Sequence, residues 1–304
     1  MRKVAIIDCG TNTFHLLIAE LEDSGFKITY SIKTPVRIGK GGISHGMITQ
    51  EGLDRATKVL SSFAETIKKH KVDEVYAFAT SAFRNANNSK EVVSHIKENT
   101  GISVDIISGD TEAQYIYNGV KNAVTLGSSP VLIIDIGGGS IEFIIGNENE
   151  VLWKQSFEIG AQRLLDQFHH HDPITKDELA KLEEYLGQQL TPLIEKIKHF
   201  QPVDMIGSSG TFDTLSEIYC HQFNLSFNDT DSELPLTLEA YEHIHNKIIT
   251  NDRDGRMAIP GMIEMRVDMI VVASSIIHWL LKQHFFNAIK VSTYSLKEGV
   301  LHSL

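Results

Sequence analysis

The chain is poor in the features that would place it outside an ordinary enzyme class. Cys9 and Cys220 are its only cysteines in 304 residues, too few for a disulfide framework. Positive charge is in deficit: 28 Lys and Arg stand against 39 Asp and Glu, a net charge of −11. A surface of that sign repels a polyanion, which argues against general nucleic-acid binding. Any polyanionic substrate must then meet a local basic patch. Long apolar runs are also missing. The longest, Met269–Leu281, is interrupted by Ser274, Ser275 and His278 and is too short to span a bilayer. Met1–Lys3 leads straight into an apolar strand with no signal-like segment, so a cytoplasmic protein without membrane partners is expected. There is no low-complexity tract or charge run. There is no G-x-x-x-x-G-K-[ST] sequence either, which argues against P-loop chemistry.

What is present is organised around Val131–Gly146, VLIIDIGGGSIEFIIG. A β-branched run ends on Asp135, three glycines and a serine follow, and a second apolar run leaves. The pattern predicts strand, tight turn, strand. Gly137, Gly138 and Gly139 leave backbone N–H groups uncovered, so the turn can cradle an anion. An aspartate at the mouth of such a cradle is compatible with phosphate if Mg²⁺ stands between them. Taken alone, the stretch fits equally well a Gly-rich hairpin with a solvated aspartate.

Val4–Ala19, VAIIDCGTNTFHLLIA, aligns with it without a gap. Val4, Ile6, Ile7, Asp8, Gly10 and Ile18 match Val131, Ile133, Ile134, Asp135, Gly137 and Ile145, 127 residues later (135 minus 8). That spacing is too long for a solenoid and suits two similar lobes. Two lobes that each present an Asp-x-Gly turn can face one another and hold a phosphate chain between them. At about 150 residues per domain the length agrees. The predicted division is 1–124 and 125–304, with the junction at Thr125–Pro130.

Along the first half, strands are expected at Phe26–Ile32, Pro35–Ile38, Glu74–Ala79 and Val104–Ile107. Helices are expected from Thr49, from Ser89 and from Thr111-Glu112 to near Val124. In the second half, Thr175 and Glu178 have capping-box spacing and open a long helix to about Lys198. Val203–Gly207 is a strand, Asn224–Leu234 a surface loop, and Val267–His284 a buried helix. Ile289–Ser292 is a last strand and Tyr294–Leu304 a last helix. Mixed strands and helices in two similar halves predict an α/β protein.

Eight motifs in order, over nearly the whole chain, resemble the exopolyphosphatase / guanosine pentaphosphate phosphohydrolase family of the acetate and sugar kinase, Hsp70 and actin superfamily. They are IDCGTNTFHLLIAE, ATSAFRNANN, ISGDTEAQYIYNGV, DIGGGSIEF, IGAQRLLDQF, IGSSGT, IPGMIEMRVD and VSTYSLKEGVL. The resemblance implies two actin-like (ribonuclease H-like) lobes with the active site in the cleft, and a last helix free to pack back on the first lobe. It implies a hydrolase releasing terminal phosphate from inorganic polyphosphate, with guanosine pentaphosphate or tetraphosphate as a further ligand, Mg²⁺ as cofactor and a homodimer as the assembly. The chain looks like a short member that ends after the second lobe.

By that resemblance Glu112 is the catalytic base, although a glutamate there also suits the first turn of a helix. Asp135 and Glu142 match the carboxylates around Mg²⁺, with Asp8 acting through water. Gly10, Thr11, Asn12, Thr13, Gly137, Gly138, Gly139 and Ser140 form the phosphate cradle. Arg84 and Arg266 match phosphate-binding arginines, because guanidinium grips two oxygens at once; Arg37 and Arg163 are further matches. His15 replaces the arginine of some members, which argues against strong guanosine-nucleotide recognition. His169, His170 and His171 are adjacent and cannot all face one ion, so they read as a solvated helix end. Ser209 lacks a nearby His or Asp motif and is not a nucleophile elbow. The competing readings are an ATP-dependent small-molecule kinase, with Ile206–Thr211 at the adenosine, and an alarmone-binding regulator without turnover.

Overall fold

The computed structural model describes residues 2–23, 25–226 and 231–304. In chain order the elements are β1 (Arg2–Cys9), β2 (Thr13–Glu22), β3 (Gly25–Pro35), α1 (Gln50–His70), β4 (Glu74–Ala79), α2 (Ser81–Arg84), α3 (Ser89–Thr100), β5 (Asp105–Ile106) and α4 (Gly109–Ala123). The second half continues with β6 (Val131–Ile136), β7 (Ile141–Gly146), β8 (Val151–Phe157), α5 (Ala161–Phe168), α6 (Lys176–Gln189), α7 (Thr191–Phe200), β9 (Met205–Ser208) and α8 (Ser209–Phe223). It closes with β10 (Glu233–Leu234), α9 (Leu238–Thr250), α10 (Arg253–Met257), α11 (Met269–Gln283), β11 (Ile289–Ser292) and α12 (Leu296–Leu301).

Among the described residues these build two mixed sheets, ordered β3-β2-β1-β4-β5 and β10-β11-β9-β6-β7-β8. In each sheet the Asp-x-Gly hairpin is antiparallel and its first strand pairs in parallel with a later strand: β1 with β4, β6 with β9. All six residues of β6 and of β7 are buried, as the unbroken β-branched runs require.

Each sheet packs its own helices on its outer face. Ala5, Ile7, Leu16 and Ile18 meet α1 and α3 in one core, and Leu132, Ile134, Phe143 and Ile145 meet α5–α9 and α11 in another. The alternate residues point inward to a third core. There Val4, Ile6 and Leu17 of one sheet and Val131, Ile133 and Ile144 of the other enclose α4 and α12. These two helices touch through glycines. A Cβ on Gly299 would lie 2.6 Å from the Tyr115 carbonyl carbon, and one on Gly119 would lie 3.0 Å from that of Ser295. The C-terminal helix thus packs on the last helix of the first half.

Several expectations change. Phe26–Ile32 and Pro35–Ile38 are not two strands; β3 runs unbroken to Pro35, which an edge strand tolerates. The long helix from Thr175 breaks at Leu190, because Pro192 lacks an N–H and starts a new helix. The loop after β4 begins with the single turn α2. Of the expected surface loop, residues 227–230 lie outside the described residues, and Glu233–Leu234 pairs with β11. Among the described residues no helix is long and apolar enough to cross a membrane.

Candidate active site

The two glycine turns have one geometry. Gly10 N–H donates to the Thr13 carbonyl at 3.1 Å, and Gly137 N–H donates to the Ser140 carbonyl at 3.0 Å. A Cβ at either glycine would sit about as close to that oxygen, at 3.0 and 2.9 Å, so the close approach demands glycine. Gly10 and Gly137 therefore close their turns with the N–H that the cradle was expected to offer a ligand. The turns also interlock. A Cβ on Gly138 would lie 2.5 Å from Asn12 Nδ2, and one on Gly139 would strike Thr11 and Ser81. One cleft is lined by Asp8, Gly10–Thr13, Glu112, Asp135, Gly137–Ser140, Glu142 and Arg266, which brings together every site residue named from the sequence except the arginines Arg37, Arg84 and Arg163.

Strand register explains how the side chains converge, since directly paired residues share a face. In the first sheet Asp8 pairs with His15, and His15 with Lys33. In the second, Asp135 pairs with Glu142, Glu142 with Ser156, and Asp135 with Ser208. Asp135 accepts from Ser208 Oγ at 2.7 Å and from Ser209 Oγ at 2.8 and 2.7 Å. Ser209 takes a left-handed φ of 69° at the start of α8 and supports the aspartate; it is not placed as a nucleophile. Glu142 accepts from Ser156 Oγ at 2.6 Å.

Glu112 stands in the first turn of α4, which Ser108 caps by accepting from Thr111 N–H at 3.1 Å. It is buried and paired with Arg84 at 2.9 Å. The buried carboxylates of Glu112, Asp135 and Glu142 and the half-buried one of Asp8 therefore share one cleft. Burial raises them all: Asp8 to about 6, Glu142 to about 8 with Asp135 adding repulsion, and Asp135 despite its serines. Glu112 is raised well above the usual range by burial and by Glu142, against the pull of Arg84. Such a set gains from a cation, and an all-oxygen donor set is the chemistry Mg²⁺ takes. Among the described residues no three acidic, His or Cys side chains enclose an ion by themselves. The residues fit a Mg²⁺ that shares its shell with water and substrate phosphate rather than a closed protein cage.

Basic groups line the same cleft. Arg266, Lys33 and His15 line the cleft, with Lys297 close enough to Asp8 to lower its pKa. Burial lowers Lys33 to about 8, with Arg266 adding repulsion, and burial lowers Arg266 despite Asp213. His15 is held well below its usual range by burial, then by Lys297 and Lys33, so it is neutral.

Not every family-matched arginine faces the cleft. Arg84 is spent on protein groups: beside Glu112 it donates to the Ile107 carbonyl at 3.2 Å and pairs with Glu158 at 2.8 Å. Arg163 braces the glycine turn from behind, donating to the Gly139 carbonyl at 2.9 Å. Arg37 is exposed with φ 50°. Sequence reasoning missed Lys33, Lys297, Asp213 and Glu158. Glu158 joins the halves by accepting from Ser81 and pairing with Arg84 and Arg163. Apart from these, the histidine run serves α6. His170 N–H, His171 N–H and His171 Nδ1 all meet Glu178 Oε1 within 3.1 Å.

The chain is similar to several known proteins. It is 44% identical to an exopolyphosphatase from Cytophaga hutchinsonii of solved structure, covering 99% of this chain and 97% of that one with a TM-score of 0.96. The Aquifex aeolicus PPX-GPPA enzyme is 25% identical, with 100% and 99% covered and a TM-score of 0.80. Exopolyphosphatase 1 of Mycobacterium bovis is 25% identical over 301 residues, 98% of this chain and 87% of that protein. A profile of the Ppx/GppA phosphatase family matches residues 17–304, and the chain belongs to that family.

Proposed function

We propose that the protein is a Mg²⁺-dependent phosphohydrolase that removes the terminal phosphate from inorganic polyphosphate, with guanosine pentaphosphate as a lesser substrate. The observation that carries this reading is the make-up of the cleft: Asp8, Glu112, Asp135 and Glu142, the cations Lys33 and Arg266, and two interlocked glycine turns line one cavity. Its relatives named exopolyphosphatase support it. The terminal phosphoryl group lies at the turns, where the Thr11 hydroxyl and the N–H groups of Asn12, Gly138 and Gly139 line the cleft; the hydroxyls of Thr13 and Ser140 line it too but already meet His15 and Glu142. Glu112 takes a proton from the attacking water as its oxygen bonds phosphorus, and the bond to the bridging oxygen breaks with the charge leaving on the shortened chain. Asp135 and Glu142, with Asp8 through water, would hold Mg²⁺, which supplies charge neutralisation on the transferred group. Arg84 keeps Glu112 in place, and it can grip phosphate only by giving up Glu158. Neutral His15 offers no charge to a nucleotide's ribose phosphates, which favours polyphosphate.

The test is phosphate release from polyphosphates of several lengths, guanosine pentaphosphate and ATP, with and without Mg²⁺. Mg²⁺-dependent release from polyphosphate ahead of the others is expected. Turnover of ATP only in the presence of a small acceptor would instead indicate a kinase, and tight guanosine pentaphosphate binding without release would indicate a regulator.

A further inference from the structure

Lys33 sits on the edge strand β3, whose residues are mostly exposed. Its half-buried neighbours Phe26 and Tyr30 turn into the cores. Lys33 instead lines the cleft, in register beside His15 and two strands from Asp8. Of the other half-buried lysines, Lys3, Lys154, Lys290 and Lys297 pair with Glu20, Asp110, Asp204 and Glu298, and Lys196 on α7 pairs with no carboxylate but does not line the cleft. Among the described residues Lys33 makes no ion pair and no hydrogen bond. A cation held out of water without a partner is costly, and an anion that completes it removes the cost.

Arg266 repeats the pattern at the same end of the cleft. Its Nε is buried without a hydrogen-bond partner, and its guanidinium is pressed against Gly210. Asp213 and Asp135 lie near both cations without forming an ion pair with either, whereas the cation beside Glu112 and Glu142 is Arg84, which places Lys33 and Arg266 in the part of the cleft away from those two glutamates. In-line displacement puts the leaving group opposite the water. With the water on the carboxylate side, the rest of the phosphate chain must run toward Lys33 and Arg266.

We propose that Lys33 binds the phosphate group next to the one being removed, and takes up the charge that collects there as the bridging bond breaks. This rests on the polyphosphate reading. It assigns to a residue outside every recognised motif the task of telling a phosphate chain from a lone phosphate.

The experiment uses the full chain, calorimetric binding of inorganic tripolyphosphate, and competition by orthophosphate. Lys33→Gln should weaken tripolyphosphate by about 10- to 100-fold, the range of a hydrogen bond to a charged group, and leave orthophosphate within about twofold. Lys33→Arg should restore most of the loss, which a merely structural defect would not allow. Equal losses for both probes would mean a general field effect and overturn the proposal, as would unchanged tripolyphosphate binding. A wild-type protein that does not bind tripolyphosphate overturns it too. Wild-type binding without phosphate release, with the Lys33→Gln loss intact, would sink the hydrolase reading and leave Lys33 as a phosphate-chain site.

Discussion

The hairpins β1–β2 and β6–β7 share a backbone and differ in what they carry. Both carry an aspartate ahead of the turn, both close a glycine turn with the same N–H to carbonyl bond, and both pair in parallel with a later strand. Opposite Asp8, however, stands His15 with Lys33 beyond it; opposite Asp135 stands Glu142 with Ser156 beyond it. His15 and Glu142 occupy equivalent positions of the repeat, 127 residues apart (142 minus 15). On the proposed reading, these two positions divide the duplicated hairpin into a phosphate side and a metal side. The turn makes the cleft, and the cross-strand partners set its direction.

The most severe way to break that division is to remove the group that the acidic half presents to water. Glu112→Ala should lower kcat for polyphosphate by about 10²- to 10⁴-fold, the usual worth of a general base, while tripolyphosphate binding is largely kept. Loss of Glu112 also frees Arg84 from one of its two carboxylates, so binding should not fall. A variant with more than about a tenth of wild-type kcat would be outside the range for a base and would remove Glu112 from that role.

A smaller effect separates the two aspartates. Asp135 is fixed by the hydroxyls of Ser208 and Ser209, whereas Asp8 makes no side-chain hydrogen bond among the described residues. Asp135→Asn should raise the half-saturating Mg²⁺ concentration by on the order of 10- to 100-fold, the scale seen when a metal's supporting groups are lost. Asp8→Asn should raise it less. Titration of phosphate release against Mg²⁺ measures both, and equal shifts would mean that the hairpins share the ion symmetrically.

The hairpins were legible in sequence because alternation of apolar residues and glycine at a close approach are local properties. The capping box at Thr175 and the cap at Thr49 were legible for the same reason. Pro192 was a signal available and unused, since proline at the start of a helix marks where the preceding one must end. Lys33 was not legible: one lysine on a polar edge strand looks like any solvated lysine until register places it beside His15. The direction of Arg84 was hidden as well. The sequence shows a loop arginine, but its pairing with Glu158 depends on how the two halves meet. Glu158, outside any charged motif, became visible only at that contact.

The smallest expected effect concerns the cost of assembling the acidic half without metal. Glu142 holds its proton up to about 8 in the folded protein against a usual 4.5, chiefly through burial and then through Asp135. Between those values the folded state binds more protons than the unfolded state, so stability falls as pH rises through that window. Below about 4.5 the carboxyl is neutral in both states and costs nothing by this route. Asp8 has the same sign over a narrower window, from a usual 3.8 to about 6. In chelator, Glu142→Gln should therefore melt close to wild type at pH 5 and above it at pH 8.5, because the amide keeps the shape and never ionises. Asp8→Asn should flatten the decline only up to about pH 6. Added Mg²⁺ should stabilise wild type more than Glu142→Gln at pH 8.5, since the ion stabilises the form that binds it. Melting curves of wild type and Glu142→Gln that stay parallel from pH 5 to 8.5 would show that Glu142 ionises in the folded state as readily as in the unfolded one. The acidic half would then be stable without a cation, and the division between the hairpins would not depend on one.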